Sequence, residues 1–173
     1  MELWAEDEAR LGLKPVLRRV WAPRGKDQRP QALMRQRYEW MYVYGFVHPA
    51  SGRSEWWLLP TVSTEAMNAV LKEFSKITGA GPQKQIVVLV DGAGWHTSTK
   101  LQIPEGLHLH YLPAYSPELQ PAERLWPLLR ESVANESFET LPQLEERLEC
   151  RCRQLSNQRA YLQKLTHYHW WPQ

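Results

Sequence analysis

Three acids in this chain stand where short apolar runs stop. Asp7 closes a run that opens at Glu2, Asp91 follows directly on Ile86-Val87-Val88-Leu89-Val90, and Glu123 lies beyond Leu107–Leu112 and a turn-rich link. Acids placed after neighbouring strands converge on the edge where open α/β sheets put their sites. Gathered there they repel one another, at a cost on the order of several kcal/mol, unless divalent cations neutralise them. Hard cations with oxygen ligands, Mg2+ or Mn2+, are the natural occupants. Two such ions about 3.5–4 Å apart clamp the attacking and leaving oxygens of an in-line phosphoryl displacement. Residue types alone leave a second reading open, since an Asp at a strand end also caps turns and helices. Glu6 and Glu8 fall on the other side of an alternating strand from Asp7 and are expected in solvent.

A second chemical feature is charge. Between Lys14 and Arg37 stand Lys14, Arg18, Arg19, Arg24, Lys26, Arg29, Arg35 and Arg37 against the single acid Asp27. The whole chain carries only +2, so this block, and not the molecule at large, is the footprint for phosphates. A solvated basic loop with no partner is the plainer alternative. His108 and His110 alternate on one strand with no third ligand spaced to join them, and His167 and His169 lie in an unpatterned tail, so all four read as structural.

The elements that must position these residues follow from pattern. Glu2–Asp7 reads as a strand, and Pro15, Pro23, Gly25 and Pro30 keep the basic block in loop or short hairpin. Tyr38–Val47 and Glu55–Leu59 are aromatic and β-branched, and the turn chemistry of His48–Gly52 joins them in a β-hairpin. Trp40, Trp56 and Trp57 pack on its faces, with base stacking the lesser possibility. Ser63 caps a helix to about Thr78 with Ala66, Met67, Val70, Leu71, Phe74 and Ile77 on its apolar face, and Gly79 stops it. The unbroken Ile86–Val90 run has the look of a central strand covered on both faces. A short polar helix over Thr97–Leu101 and a strand over Leu107–Leu112 follow.

Pro121 then opens a helix, Pro being favoured at the first helical position, and puts Glu123 in its first turn, where the helix dipole favours a carboxylate. Thr140 and Gln143 form a capping box ahead of a helix with Leu141, Leu144, Leu148 and Leu155 on one face. A lone strand, a hairpin and βαβ crossovers imply an α/β fold: a mixed five-stranded sheet with helices on both faces. If the first strand runs parallel to the Val87 strand, Asp7 and Asp91 emerge side by side.

Length and composition bound the class. One domain of 173 residues is long enough for a core, and 43% hydrophobic with 23% charged residues is the balance of a soluble globular chain. Nothing approaches the roughly 20 apolar residues of a membrane span. Cys150 and Cys152, two apart on a helix, face different ways and suggest neither a disulfide nor a zinc site, so a cytoplasmic setting is expected.

The words around the acids carry a resemblance. They are Trp4-Ala5-Glu6-Asp7-Glu8, Trp21-Ala22-Pro23-Arg24-Gly25, Val90-Asp91-Gly92-Ala93-Gly94-Trp95-His96, and the long motif from Leu112-Pro113-Ala114-Tyr115-Ser116-Pro117 to Glu123-Arg124-Leu125-Trp126. In order and spacing they resemble the catalytic domain of DDE-type transposases, in the bacterial insertion-sequence branch of the mariner-like superfamily. The likeness runs from residue 1 to about 135. It implies an RNase H-like fold and a DDE triad of Asp7, Asp91 and Glu123 holding two Mg2+ ions, with Mn2+ as substitute. The implied activity is DNA cleavage at element ends by water attack, then joining of the freed 3′-hydroxyl to target DNA. The partners it implies are transposon-end and target DNA and a second subunit on that DNA, in a bacterial cytoplasm near the nucleoid. His96 matches the histidine that follows the second acid and is expected either to join the basic residues as a DNA contact or to cap the short helix.

Gly92 and Gln120 stand where relatives often have Asn, and Pro127 predicts a kink at Glu123, whose carbonyl its ring meets. Relatives also carry N-terminal helix-turn-helix modules. The expectation is therefore an isolated catalytic domain over 1–173, half of a split frame, or a degenerate remnant. Two rival functions stay open: another RNase H-like nuclease, and a non-catalytic DNA-binding or assembly module of transposase descent.

Overall fold

The computed structural model describes residues 1–25 and 37–171. Five strands form one mixed sheet: β1 (Glu2–Gly12), β2 (Trp40–His48), β3 (Arg53–Leu59), β4 (Ile86–Val90) and β5 (Leu107–Tyr111), in the order β3-β2-β1-β4-β5. β2 pairs antiparallel with β1 and β3, while β4 runs parallel to both β1 and β5. The parallel register sets Glu2 opposite Ile86 and Ala5 opposite Leu89. Continued by two residues, it puts Asp7 level with Asp91. The side-by-side emergence expected from sequence is what the sheet delivers.

β1 differs from expectation in length. It runs on to Gly12 because β2 continues the ladder beyond the end of β4, pairing Asp7 with Gly45 and Gly12 with Trp40. Asp7 therefore sits within a strand, at the point where its parallel neighbour stops.

Strand alternation then builds two cores. On one face Trp4, Tyr44, Phe46, Ile86, Val88 and Val90 bury against Met67, Val70, Leu71 and Phe74 of α1 (Thr64–Thr78). Ser63 caps α1 by accepting from the Ala66 N–H, and Gly79 ends it at φ 71°, a left-handed cap that glycine adopts without a Cβ penalty. Ile77, expected on the apolar face, is half exposed at the end of the helix. On the other face Ala5, Ala9, Leu11, Val43 and Leu89 meet α2 (Leu125–Ser132), α3 (Leu141–Ser156) and α4 (Arg159–Thr166).

Several local expectations change. Residues 97–101 form turns rather than a helix. The tail, read as unpatterned, contains α4, whose Leu162 is fully buried; only Leu162 and Leu165 mark its apolar face, too few to register as a period. Thr140 has the extended backbone of a cap but no side-chain bond to α3; the Gln143 carbonyl reaches back to accept from the Glu139 N–H instead. Cys150 is exposed and Cys152 buried, as their spacing requires. Burial also pushes the Cys152 thiol up to about 12. Trp56 and Trp57 pack on opposite faces of the hairpin, whereas Trp40 is largely exposed beneath Arg10. His108 bonds Gln85 on the edge strand, in keeping with a structural role.

Candidate active site

Asp7, Asp91 and Glu123 line one cleft of about 440 Å³, together with Gly92, the Leu112–Pro117 turn and Gln120. β1 presents Asp7 on its α2 face, β4 releases Asp91 at its carboxyl end, and the segment after β5 brings in Glu123. Pro121 does open a helical turn, but a 3-10 one (Pro121–Arg124) that precedes α2. Pro127 explains the split. At the third position of α2 its missing N–H falls in the first turn, where no partner is needed, and the tighter winding ahead of it replaces the expected kink.

The chain leads into this turn by an unusual path. Tyr115, fully exposed at the rim, has φ 59°, rare for a residue with a side chain. Gln120, which stands where relatives often have Asn, makes no cap bond; its side-chain amide donates to the Glu6 carbonyl at 2.8 Å and ties the turn to β1 beside Asp7.

Asp7 is mostly enclosed. Burial raises its carboxyl to about 7, the Trp126 hydrogen bond opposes that rise, and the nearby charge of Glu123 adds to it. The Trp126 indole N–H donates to Asp7 Oδ2 at 2.7 Å from a ring only 2% exposed. A buried indole needs such a partner, and this one holds the acid in one rotamer. Sequence reading missed Trp126 as a functional residue. Its signal was there: a tryptophan one helical turn beyond Glu123 shares that acid's face.

Asp91 is held from behind. Its Oδ1 accepts from the Ala93 N–H at 2.9 Å and faces His96 Nδ1 at 2.8 Å, which leaves Oδ2 for the cleft. His96 itself is 1% exposed, so it is not the DNA contact expected of it. Burial works against its protonation, but Glu8 and Asp91 outweigh that and raise its pKa. Its carbonyl accepts from the Tyr111 hydroxyl, fastening the loop to β5.

The expectation of solvated Glu6 and Glu8 is overturned. They do point away from Asp7, but that side is roofed by Trp95 and His96. Glu6 is fully buried, and Trp95 Nε1 donates to Glu8 Oε1 at 2.8 Å. Burial, then the charges of Glu8, Asp7 and Asp91, push the Glu6 carboxyl well above its usual range.

Arg18, Arg19, Arg24 and Arg37 are all exposed. Arg18 Nη2 reaches the Pro127 carbonyl at 3.4 Å, and Arg37 Nη1 bonds the Glu139 carbonyl. Lys26, Arg29 and Arg35 lie outside the described residues.

Comparison with known proteins agrees with this architecture. The Mos1 mariner paired-end complex with Mn superposes with a TM-score of 0.62 at 15% identity, over 97% of this chain and 56% of that one. The Mos1 transposase catalytic domain with Raltegravir and Mn gives 0.54 at 14% identity, over 98% and 85%. The chain thus spans little more than half of the paired-end-complex chain but most of the catalytic-domain one. At such identities the likeness is one of fold, here the RNase H-like fold. In sequence, the uncharacterized protein y4pE/y4sA of Sinorhizobium fredii (strain NBRC 101917 / NGR234) is 37% identical over 100 residues, 57% of this chain and 73% of that protein. The model of the DDE superfamily endonucleases matches residues 2–145, and to that family the chain belongs.

Proposed function

We propose that this chain is a transposase catalytic domain that cuts DNA strands at element ends and joins the freed 3′-hydroxyl to target DNA. The observation that carries the reading is the meeting of Asp7, Asp91 and Glu123 in one cleft of a DDE-family chain. Three carboxylates suit one task above others. Among the described residues lining the cleft none is Lys or Arg, so the acids lack a protein countercharge. Asp7, held up at about 7 by burial and by Glu123, registers that deficit. An all-oxygen donor set of this kind fits hard divalent cations, Mg2+ or Mn2+. When bound, such ions activate water and offset charge on the phosphate.

The chain's own residues supply position. Trp126 fixes Asp7, His96 and the Ala93 N–H fix Asp91, and Gln120 anchors the turn that carries Glu123. In the first step water attacks the phosphodiester, the phosphorus–oxygen bond to the 3′ side breaks, and a 3′-hydroxyl leaves. In the second that hydroxyl attacks a target phosphodiester and displaces another. Exposed Arg18, Arg19, Arg24 and Arg37 meet backbone phosphates. The solved Mos1 assemblies include a paired-end complex with the left transposon end and a strand transfer complex, which supports DNA as the partner here.

The deciding assay is nicking of supercoiled DNA with Mn2+, followed by strand transfer from a 3′-hydroxyl oligonucleotide. Wild type is expected to do both, and Asp91→Ala neither. Equal nicking by Asp91→Ala sinks the triad, while nicking without transfer points to another RNase H-like nuclease.

A further inference from the structure

Behind the cleft, on the α1 face of β1, lies a second group of ligand-type side chains. Glu6 and His96 are fully buried there, and the Glu8 side chain is 5% exposed. Both Glu6 carboxylate oxygens lack a hydrogen-bond partner. One donor atom from each of the three residues falls within 4.8 Å of the others. Two buried acids could not gather here as bare ions, because the cost of desolvating each exceeds what one imidazole repays.

The imidazole's orientation sharpens the problem. His96 Nδ1 faces Asp91 Oδ1 at 2.8 Å, while Nε2 faces Glu8 Oε1 at 3.2 Å and Glu6 Oε2 at 3.4 Å. With Nδ1 donating to Asp91, the Nε2 lone pair meets two carboxylate oxygens, and either a proton or a metal ion has to stand between them. The Glu8 contact is at the long end of hydrogen bonding and the Glu6 contact lies beyond it. Both distances also match edges of a tetrahedral site: metal–ligand bonds of about 2.0–2.1 Å put neighbouring ligands roughly 3.3–3.4 Å apart.

We propose that Glu6, Glu8 and His96 Nε2 bind one divalent transition-metal ion, Zn2+ by preference, in the interior behind Asp91. An imidazole with two carboxylates suits Zn2+ better than Mg2+, which shuns nitrogen. The outer contacts of a metal site are also present. Trp95 Nε1 donates to the Glu8 oxygen at 2.8 Å, and the remaining nitrogen of His96 donates to a carboxylate, the usual support of a metal-bound histidine. A cleft of about 330 Å³ lined by Glu8 and Trp95, and also by Asp7 and Asp91, opens beside the group. The ion's task is positional: through His96 it holds Asp91. The site lies on the opposite face of β1 from Asp7, and its existence does not depend on the chain cutting DNA.

The test uses the full chain, stripped with chelator, reloaded with Zn2+ or Co2+ and desalted. Bound metal is measured by elemental analysis, and coordination by the visible absorption of Co2+. The double variant Asp7→Asn/Glu123→Gln, which removes two cleft acids, is expected to retain one tightly held Zn2+ per chain and an intense four-coordinate Co2+ spectrum. Adding Glu6→Gln and Glu8→Gln should weaken that binding at least 100-fold. The proposal is overturned if the first double variant melts cooperatively yet holds no ion, since Glu6, Glu8 and His96 are then held together by a shared proton. It is equally overturned if the Glu6→Gln/Glu8→Gln chain keeps its metal. Failure of wild type to nick DNA would leave both readings of metal content intact, so the two conclusions stand or fall separately.

Discussion

Trp126 joins the two halves of the cleft through a single hydrogen bond. It rides on the same stretch of chain as Glu123, and its N–H ends on Asp7, 119 residues away in sequence. A bond to an ionised group contributes about 1.5–3 kcal/mol, and here it fixes the rotamer of an acid otherwise free to turn. Trp126→Phe keeps the ring's packing against Trp56 and removes only the donor. The expected result is a fall of about 10- to 100-fold in the single-turnover nicking rate, from that same bond energy, with DNA affinity unchanged. A loss of affinity with no change in rate would place Trp126 in substrate binding instead. The same scale shows where sequence stopped: alternation set Glu6 and Glu8 opposite Asp7, but only the elements packed over that face of β1 bury them.

At the scale of elements, the hairpin, α1 and β4 were legible because each has its own local signal: turn residues, a cap with a helical period, an unbroken β-branched run. The 3-10 turn at Glu123 and helix α4 were not, since both are set by packing. Gly45 shows how closely that packing constrains the site. It is the cross-strand partner of Asp7, and a Cβ there would meet the Trp126 ring at 2.8 Å and Trp56 at 3.2 Å. The absent side chain is the space that Trp126 occupies. Gly45→Ala is therefore expected to push Trp126 off Asp7 and cut nicking at least 10-fold. Overpacking of this kind costs about 1–3 kcal/mol of stability, visible as a lower midpoint in urea. By contrast, Gly92, another point of departure from the resemblance, has nothing within 4 Å of its Cβ position. Full activity in Gly45→Ala would mean that Trp126 can move without taking Asp7 with it.

At the scale of the whole molecule, charge separates into an acidic cleft and a basic segment. The three acids were legible because each follows a strand-like run, and the register that aligns two of them is a property of the sheet. The buried side of β1 was not legible, because nothing local says that Trp95 and His96 fold back over it. The basic segment is pinned at its start to the far end of α2: Val16 bridges Ala134, and the Arg18 N–H donates to Asn135 Oδ1 at 2.9 Å. It is thus anchored to the element that follows Glu123. With a net charge of only +2, the proposed DNA binding draws on this segment rather than on the molecule's overall field. Each phosphate contact adds about 0.9 to the slope of log affinity against log salt. Arg19→Gln/Arg24→Gln, at two exposed positions, is expected to flatten that slope by about 2 in anisotropy titrations while leaving the melting temperature in place. Exposed substitutions of this kind typically shift stability by no more than about 0.5 kcal/mol. An unchanged slope with normal affinity would move the phosphate contacts elsewhere on the surface and leave the basic segment as a solvated loop.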